Sequence, residues 1–277
     1  MAVSTTRFAK DVCVKRVDAM VVDWTEVETF FADILEFDVW TPDFCVQVMA
    51  MVRRKYGAPR DYVLDRTWLT RRGDVRSLVT RMLHARYFVS PDEYLDMSVG
   101  SVVYVQTNPR SVMEGSRLAA LRTLDTLSQT KYGVSTADAS KTLQTILEGT
   151  GVLGREKAKR WWTLDVDDDR FVDAVGTVLH RFGVSSVVYK TQGGAHFLVR
   201  PSDFGACRSK VMEILNTFVI PREHRDGSIV QDCVCSFHED CLIALPGTLQ
   251  NGVLCRRMTT DILDVPNEGL LEWALSR

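Results

Sequence analysis

Trp161-Trp162-Thr163-Leu164-Asp165-Val166-Asp167-Asp168-Asp169 is the stretch on which the reading of this chain turns. Its first half is aromatic, β-branched and apolar, the composition of a buried strand. A strand repeats every two residues. Asp165 and Asp167 therefore share one face, and Trp162, Leu164 and Val166 share the other. Two carboxylates ~4 Å apart repel by roughly 4 kcal/mol at an effective dielectric of about 20. Either one stays protonated or a cation sits between them. Hard divalent ions with oxygen ligands, Mg²⁺ or Mn²⁺, answer that description, and pairs of such ions serve phosphoryl and nucleotidyl transfer. Asp168 and Asp169 have an ordinary use as acidic residues at a helix start.

Downstream, elements alternate. A helix is expected over 168–182 with Gly183 just past its end, then strands over 185–190 and 196–199, a helix over 202–217, and strands over 228–235 and 241–245. With the 160–166 strand the order is β-α-β-β-α-β-β. It predicts an α+β fold: a ferredoxin-like or RRM-like antiparallel sheet with helices on one face and the other face free for a substrate. Upstream, 101–107 (SVVYVQT) reads as a strand ending at Asn108-Pro109, with helical pattern over 113–129 and 137–148 and a hinge at Gly149-Thr150-Gly151. Before residue 98 helical periodicity dominates, over 25–37, 41–56 and 74–87, with Ser90-Pro91-Asp92-Glu93 opening a further short helix. The expected organisation is a helical N-terminal region over 1–97 and a catalytic region over 98–277. The core of that region spans about 155–257, and an amphipathic helix lies within 260–277.

Two more features carry chemistry. In Lys190-Thr191-Gln192-Gly193-Gly194-Ala195-His196, paired glycines let backbone approach an anion, and a histidine opening the next strand can donate to a phosphate. By itself the same stretch is also a hairpin turn beside a histidine. In Ile229-Val230-Gln231-Asp232-Cys233-Val234-Cys235, Asp232 is a carboxylate inside a third apolar strand, on the face opposite Cys233 and Cys235. A tight turn, Pro246-Gly247-Thr248, follows.

In this order the pieces resemble the catalytic core of the archaeo-eukaryotic primase, or primase-polymerase, superfamily. Leu164-Asp165-Val166-Asp167 matches its acidic strand, and Gly193-Gly194-Ala195-His196 its glycine turn and histidine. Asp232 matches its third acid, and Pro246-Gly247-Thr248 its later turn. Val103 to Pro109 looks like the strand ending in Asn-Pro that many viral and plasmid members carry. The resemblance covers about 101–257. It implies Asp165, Asp167 and Asp232 as ligands of a two-metal Mg²⁺ or Mn²⁺ site, and His196 as a contact to the triphosphate of the incoming nucleotide. Gly193, Gly194, Lys190 and Arg110 would assist at the nucleotide or template. The reaction implied is attack of a 3′-hydroxyl on an α-phosphate, releasing pyrophosphate, on a single-stranded or primed template. A separate helicase or replication partner is implied by analogy, because no Walker A loop is present. Two positions depart from the family. Gly194 stands where a small hydroxyl residue is common, and Ala244 where an arginine is common. Arg256, Arg257, Arg200 and Lys190 are the candidates to replace that charge. The rival expectation is a catalytically inactive primase-like module that binds nucleic acid or protein, and a metal-dependent nuclease stands behind it.

Cys233, Cys235, His238 and Cys241 are spaced as four soft ligands that zinc would accept. The span is compressed, however, and the two strand cysteines sit on the helix-packed face, which favours small apolar core residues instead. Composition bounds the rest. The chain has 277 residues, 45% hydrophobic and 25% charged, with 34 basic against 36 acidic residues. That is the profile of a globular chain and argues against a polybasic nucleic-acid coat. Seven cysteines, no signal-like start and no membrane-length apolar run predict a reduced, soluble, intracellular protein with no membrane partner.

Overall fold

Asp23 opens the first of the described helices, its carboxylate accepting from the backbone N–H of Glu26 at 3.1 Å. That helix, α1 (Trp24–Thr29), runs on through a π turn, Phe30–Ile34. Val27, Phe30, Phe31 and Ile34 are buried along it, as their helical spacing predicts. The computed structural model describes residues 22–36, 44–70, 73–111, 160–223 and 227–258, with single positions between 113 and 124. The helices expected over 137–148 and 260–277 and the hinge at 149–151 lie outside the described residues, and the one over 113–129 mostly does.

The helix expected over 41–56 is instead a strand, β1 (Phe44–Val52), paired with β2 (Tyr62–Thr70). Cys45, Val46, Val48, Met49, Ala50 and Val52 are all buried, so both faces of β1 are covered. An unbroken apolar run has no period-two signature and reads equally as buried helix. Its valines and the strands on both sides decide for β. α2 (Val75–Leu83) forms as expected, capped by Asp74, whose carboxylate accepts from Ser77 N–H. It stops short of the expected end. β3 (Arg86–Ser90) and β4 (Glu93–Asp96) make a hairpin whose turn is the Pro91-Asp92 read above as a helix start. Pro-Asp suits either role. The described part of 1–97 is therefore mixed, not helical.

β5 (Ser101–Gln106) and β6 (Arg110–Ser111) follow, then β7 (Trp162–Val166), a 3₁₀ turn Asp169–Phe171 and α3 (Val172–Arg181). Gly183, at φ 68°, ends α3 as the sequence predicts. β8 (Ser186–Lys190) and β9 (Ala195–Val199) lead to α4 (Pro201–Phe204) and α5 (Arg208–Leu215). The remainder is β10 (Val219–Glu223), β11 (Ile229–Cys233), β12 (Cys235–His238), β13 (Leu242–Ala244), β14 (Leu249–Gln250), β15 (Val253–Leu254) and β16 (Arg256–Arg257).

The fold is mixed α+β with antiparallel sheets. The first sheet has the order β13-β5-β1-β2, with β6 also on β1; the second has the order β12-β7-β9-β8-β16. In the second sheet Leu164, Val166, Val188, Phe197 and Val199 pack against Val175, Leu179, Val211 and Leu215 of the helices. Its opposite face contributes Tyr189 and Leu198 to a core shared with the first sheet. Asn108 stitches the sheets together. Its Oδ1 accepts from the N–H groups of Arg160 (2.8 Å) and Trp161 (3.0 Å), and its Nδ2 donates to the Trp161 carbonyl (2.8 Å). At the Pro246-Gly247 turn, Gly247 has φ 81°, and a Cβ there would meet the Asp23 carbonyl at 2.4 Å. The turn thus accepts the start of α1, through Asp23 N–H to Gly247 O at 2.8 Å.

The strand expected over 228–235 is broken. Among the described residues β11 pairs only with β10, in a two-stranded ribbon. At Val234 the chain turns: its N–H donates to Phe218 O and its carbonyl accepts from Asp167 N–H. Beyond Val234, β12 joins the edge of the second sheet beside β7. Among the described residues no helix is long and apolar enough to cross a membrane.

Candidate functional site

β7 carries its charge where the period-two reading puts it. Leu164 and Val166 enter the helix-side core, and Asp165 lies on the face toward the first sheet. Asp165 is the cross-strand partner of His196, and His196 Nε2 donates to Asp165 Oδ1 at 3.2 Å. Burial alone would lift the Asp165 carboxyl. The hydrogen bond from His196, together with the electrostatic influence of His196, Lys55 and His238 nearby, outweighs it and holds the group below its ordinary value. His196 is 7% exposed, and its Nδ1 has no hydrogen-bond partner among the described residues. Asp167 sits one residue past the end of β7, its N–H held by Val234 O at 2.9 Å.

The turn between β8 and β9 is closed by Thr191 N–H to Gly194 O at 2.9 Å. Gly194 lies against the end of β7 so tightly that a Cβ would sit 1.7 Å from the Val166 carbonyl oxygen. No side chain fits there, which accounts for the glycine. Gly193 is open, with only Asp167 O at 3.8 Å.

The first sheet supplies the opposing wall just beyond β1. Arg53, Lys55 and Tyr56 face the acids across a cleft of about 390 Å³, within the usual range for a small-ligand site. Arg53 Nη1 donates to the Tyr104 hydroxyl at 2.9 Å. Gln250 ties the walls together: its Nε2 donates to Tyr56 OH at 2.7 Å, and its Oε1 accepts from Gln192 N–H at 2.9 Å. Burial lifts the Tyr56 phenol, and the charges of Asp165 and Asp167 add to the lift. Met49, Met51 and Leu242 complete the lining.

No family model, no curated protein and no solved structure matches the chain.

Of the residues singled out in the sequence, the structure brings Asp165, Asp167, His196 and Gly193 into the cleft, with Gly194 behind them as the packing point of the turn. Three others are elsewhere. Asp232 is on the β10–β11 ribbon, opposite Ile220, with its carboxylate 3.4 Å from Arg222. The strand break at Val234 puts it outside the sheet it was expected to join. Lys190 alternates with Tyr189 and so faces the helix side, ion-paired to Asp169. Arg110 is buried in a pair with Asp240 at 2.9 Å. Ala244 is buried in β13, and none of Arg200, Arg256, Arg257 or Lys190 lines the cleft. Arg53 and Lys55 supply the positive charge instead. Their signal was the basic run Arg53-Arg54-Lys55 directly after an apolar run, hidden by reading that run as helix.

The four zinc-type ligands do not meet. Cys233 is exposed on the ribbon, and Cys235 packs into the helix-side core, where burial raises its thiol pKa. His238 accompanies Ser236 on the opposite face, 2.9 Å from its hydroxyl, and burial pushes the Cys241 thiol up to about 12. Among the described residues no three His, Cys, Asp or Glu side chains converge as a metal site. Asp232 does not line the cleft beside Asp165 and Asp167. What the cleft does hold is a pair of hard carboxylates. That pair fits one Mg²⁺ or Mn²⁺ held by one or two carboxylates, with water and phosphate oxygens as the remaining ligands.

Proposed function

We propose that the cleft binds a nucleoside triphosphate together with a divalent cation, and that the protein is a primase-polymerase-like, template-dependent nucleotidyltransferase. The convergence of Asp165, Asp167 and His196 from one sheet with Arg53 and Lys55 from the other, in one cleft, carries this reading. The RRM-like reading of the second sheet draws support from its strand order. Counted within the β-α-β-β-α-β unit, β12-β7-β9-β8 is fourth-first-third-second, every pairing antiparallel, with α3 and α5 on one face.

In this reading Asp165 and Asp167 hold the cation, and Arg53 and Lys55 take phosphate charge that would otherwise face the acids. Gly193 lets a phosphate approach the turn backbone closely. His196, braced by Asp165, orients that carboxylate and stands beside the phosphates. The cation, when bound, relieves the repulsion between the two carboxylates and neutralises charge on the phosphates.

Asp232 favours a second reading. With the third acid on the ribbon, the cleft binds a nucleotide without transferring it, as a regulatory or docking module. Single-stranded template, labelled nucleotides and Mn²⁺ separate the two, with nucleotide affinity measured in parallel. Catalysis predicts template-dependent extension by the wild type. Asp167→Asn should abolish that extension and weaken Mn²⁺-dependent nucleotide binding by about tenfold or more. Binding without product across metals and nucleotides establishes the second reading, and no metal-dependent nucleotide binding refutes both.

A further inference from the structure

β12 flanks both acids of the cleft. It starts just after Val234, whose carbonyl accepts from Asp167 N–H, and runs antiparallel along β7, setting Ser236 opposite Asp165 and His238 opposite Thr163. Residues directly opposite in such a pair share a face, with Cβ atoms about 4.5–5.5 Å apart. Cys235 and Phe237 pack toward the helix-side core, so Ser236 and His238 point the other way, to the face of Asp165 and His196. His196, Asp165 and Ser236 thus stand in a row across three neighbouring strands, with Asp165 in the middle. Ser236 and His238 are both exposed, and Ser236 Oγ lies 2.9 Å from His238 Nε2. With the imidazole proton on Nδ1, the hydroxyl donates to Nε2, the arrangement of a nucleophile beside its base. The acids that follow are engaged elsewhere, Glu239 by Arg208 and Asp240 by Arg110. The phenols of the opposite wall are differently placed. Tyr56 is held by the Gln250 amide and Tyr104 by the Arg53 guanidinium, and neither of those groups takes a proton.

We infer that Ser236 is a nucleotidyl acceptor: the chain modifies itself there with the nucleoside triphosphate bound in the cleft, and His238 serves as the base. The inference rests on the nucleotide reading of the cleft. One strand spacing, about 4.8 Å, separates Ser236 from the strand whose Asp165 that reading sets beside the phosphates. Ser236 Oγ attacks the α-phosphorus, and a new P–O bond forms. The bond from that phosphorus to its bridging oxygen breaks, and pyrophosphate leaves with the electron pair. The serine proton passes to His238 Nε2, which, being exposed, gives it up to water. The product is a serine phosphodiester whose nucleoside keeps its 3′-hydroxyl. A serine hydroxyl and a 3′-hydroxyl are the same kind of nucleophile, so the step asks nothing of the cleft beyond the transfer proposed above.

The test incubates the full chain with Mn²⁺ and a nucleoside triphosphate labelled at the α-phosphate, followed by a denaturing gel and peptide mass mapping. Nucleotide affinity is measured on the same preparation. The wild type should carry α-label on Ser236 and take none from γ-labelled nucleotide. Ser236→Ala should lose the label, and Ser236→Thr, which keeps a hydroxyl, should retain it. His238→Gln should slow labelling by about a hundredfold or more. A fluorophosphonate reagent, with no metal present, should also modify Ser236, again about a hundredfold more slowly in His238→Gln. Nucleotide bound without covalent label, label on another residue, or equal fluorophosphonate rates with and without His238 overturns the inference and leaves the cleft reading standing. A wild type that binds no nucleotide overturns both.

Discussion

β7 and β1 both run through the interior of a five-stranded antiparallel sheet, and both border the same cleft, yet they equip it differently. β7 carries chemistry inside the strand. Asp165 faces the cleft between apolar neighbours that face the helices, tolerated because His196 lies directly across the ladder. β1 presents Met49 and Met51 to the cleft and delivers its charged residues, Arg53 and Lys55, only after the strand has ended. The difference shows which function can be altered without the fold. A strand-borne acid is bound up with sheet packing, whereas a loop-borne cation is held mainly by its own side-chain contacts.

The largest expected effect separates two arginines of the first sheet. Arg110 and Asp240 are each only 10% exposed as side chains. Arg110→Ala strands a buried carboxylate and should cost about 3–5 kcal/mol in urea unfolding, with nucleotide affinity unchanged. Arg53→Gln should do the reverse, weakening nucleotide binding while moving stability by about 1 kcal/mol or less. Equal destabilisation by both would erase the distinction between strand and loop.

The adjoining turn of the second sheet gives a smaller contrast. Gly194→Ala must push a Cβ into the Val166 carbonyl and should destabilise by about 1–3 kcal/mol, displacing Asp167 with it. Gly193→Ala meets nothing closer than 3.8 Å and should stay within about 0.5 kcal/mol of wild type, as thermal melts of the pair would show.

These particulars explain how much was legible. β7, α3, β8 and β9 follow from strict alternation and a glycine stop, and with them came Asp165, Asp167, Gly193 and His196. β1 was misread because a strand buried on both faces has no alternation to show. Its error concealed Arg53 and Lys55. Asp232 misled for another reason: a strand can change partners at a single residue, and Val234 does so without a glycine or proline to mark it. Gln250 carried no sequence signal, since its bond to Tyr56 spans 194 positions.

The smallest effect sharpens that last point. Native-state thiol labelling followed by peptide mass mapping should modify Cys233 on the ribbon well before Cys235 two positions on, whose thiol is buried and held neutral. Equal rates would mean that the ribbon and the sheet edge are one continuous strand, which would return Asp232 toward the cleft.

The Pro246-Gly247 turn has a last implication. Because Asp23 hangs on Gly247, and the chain three residues later offers Gln250 to both walls of the cleft, early and late segments share a single fastening. Trimming the protein back to its most recognisable half would therefore unlatch the very wall that such a fragment was meant to preserve.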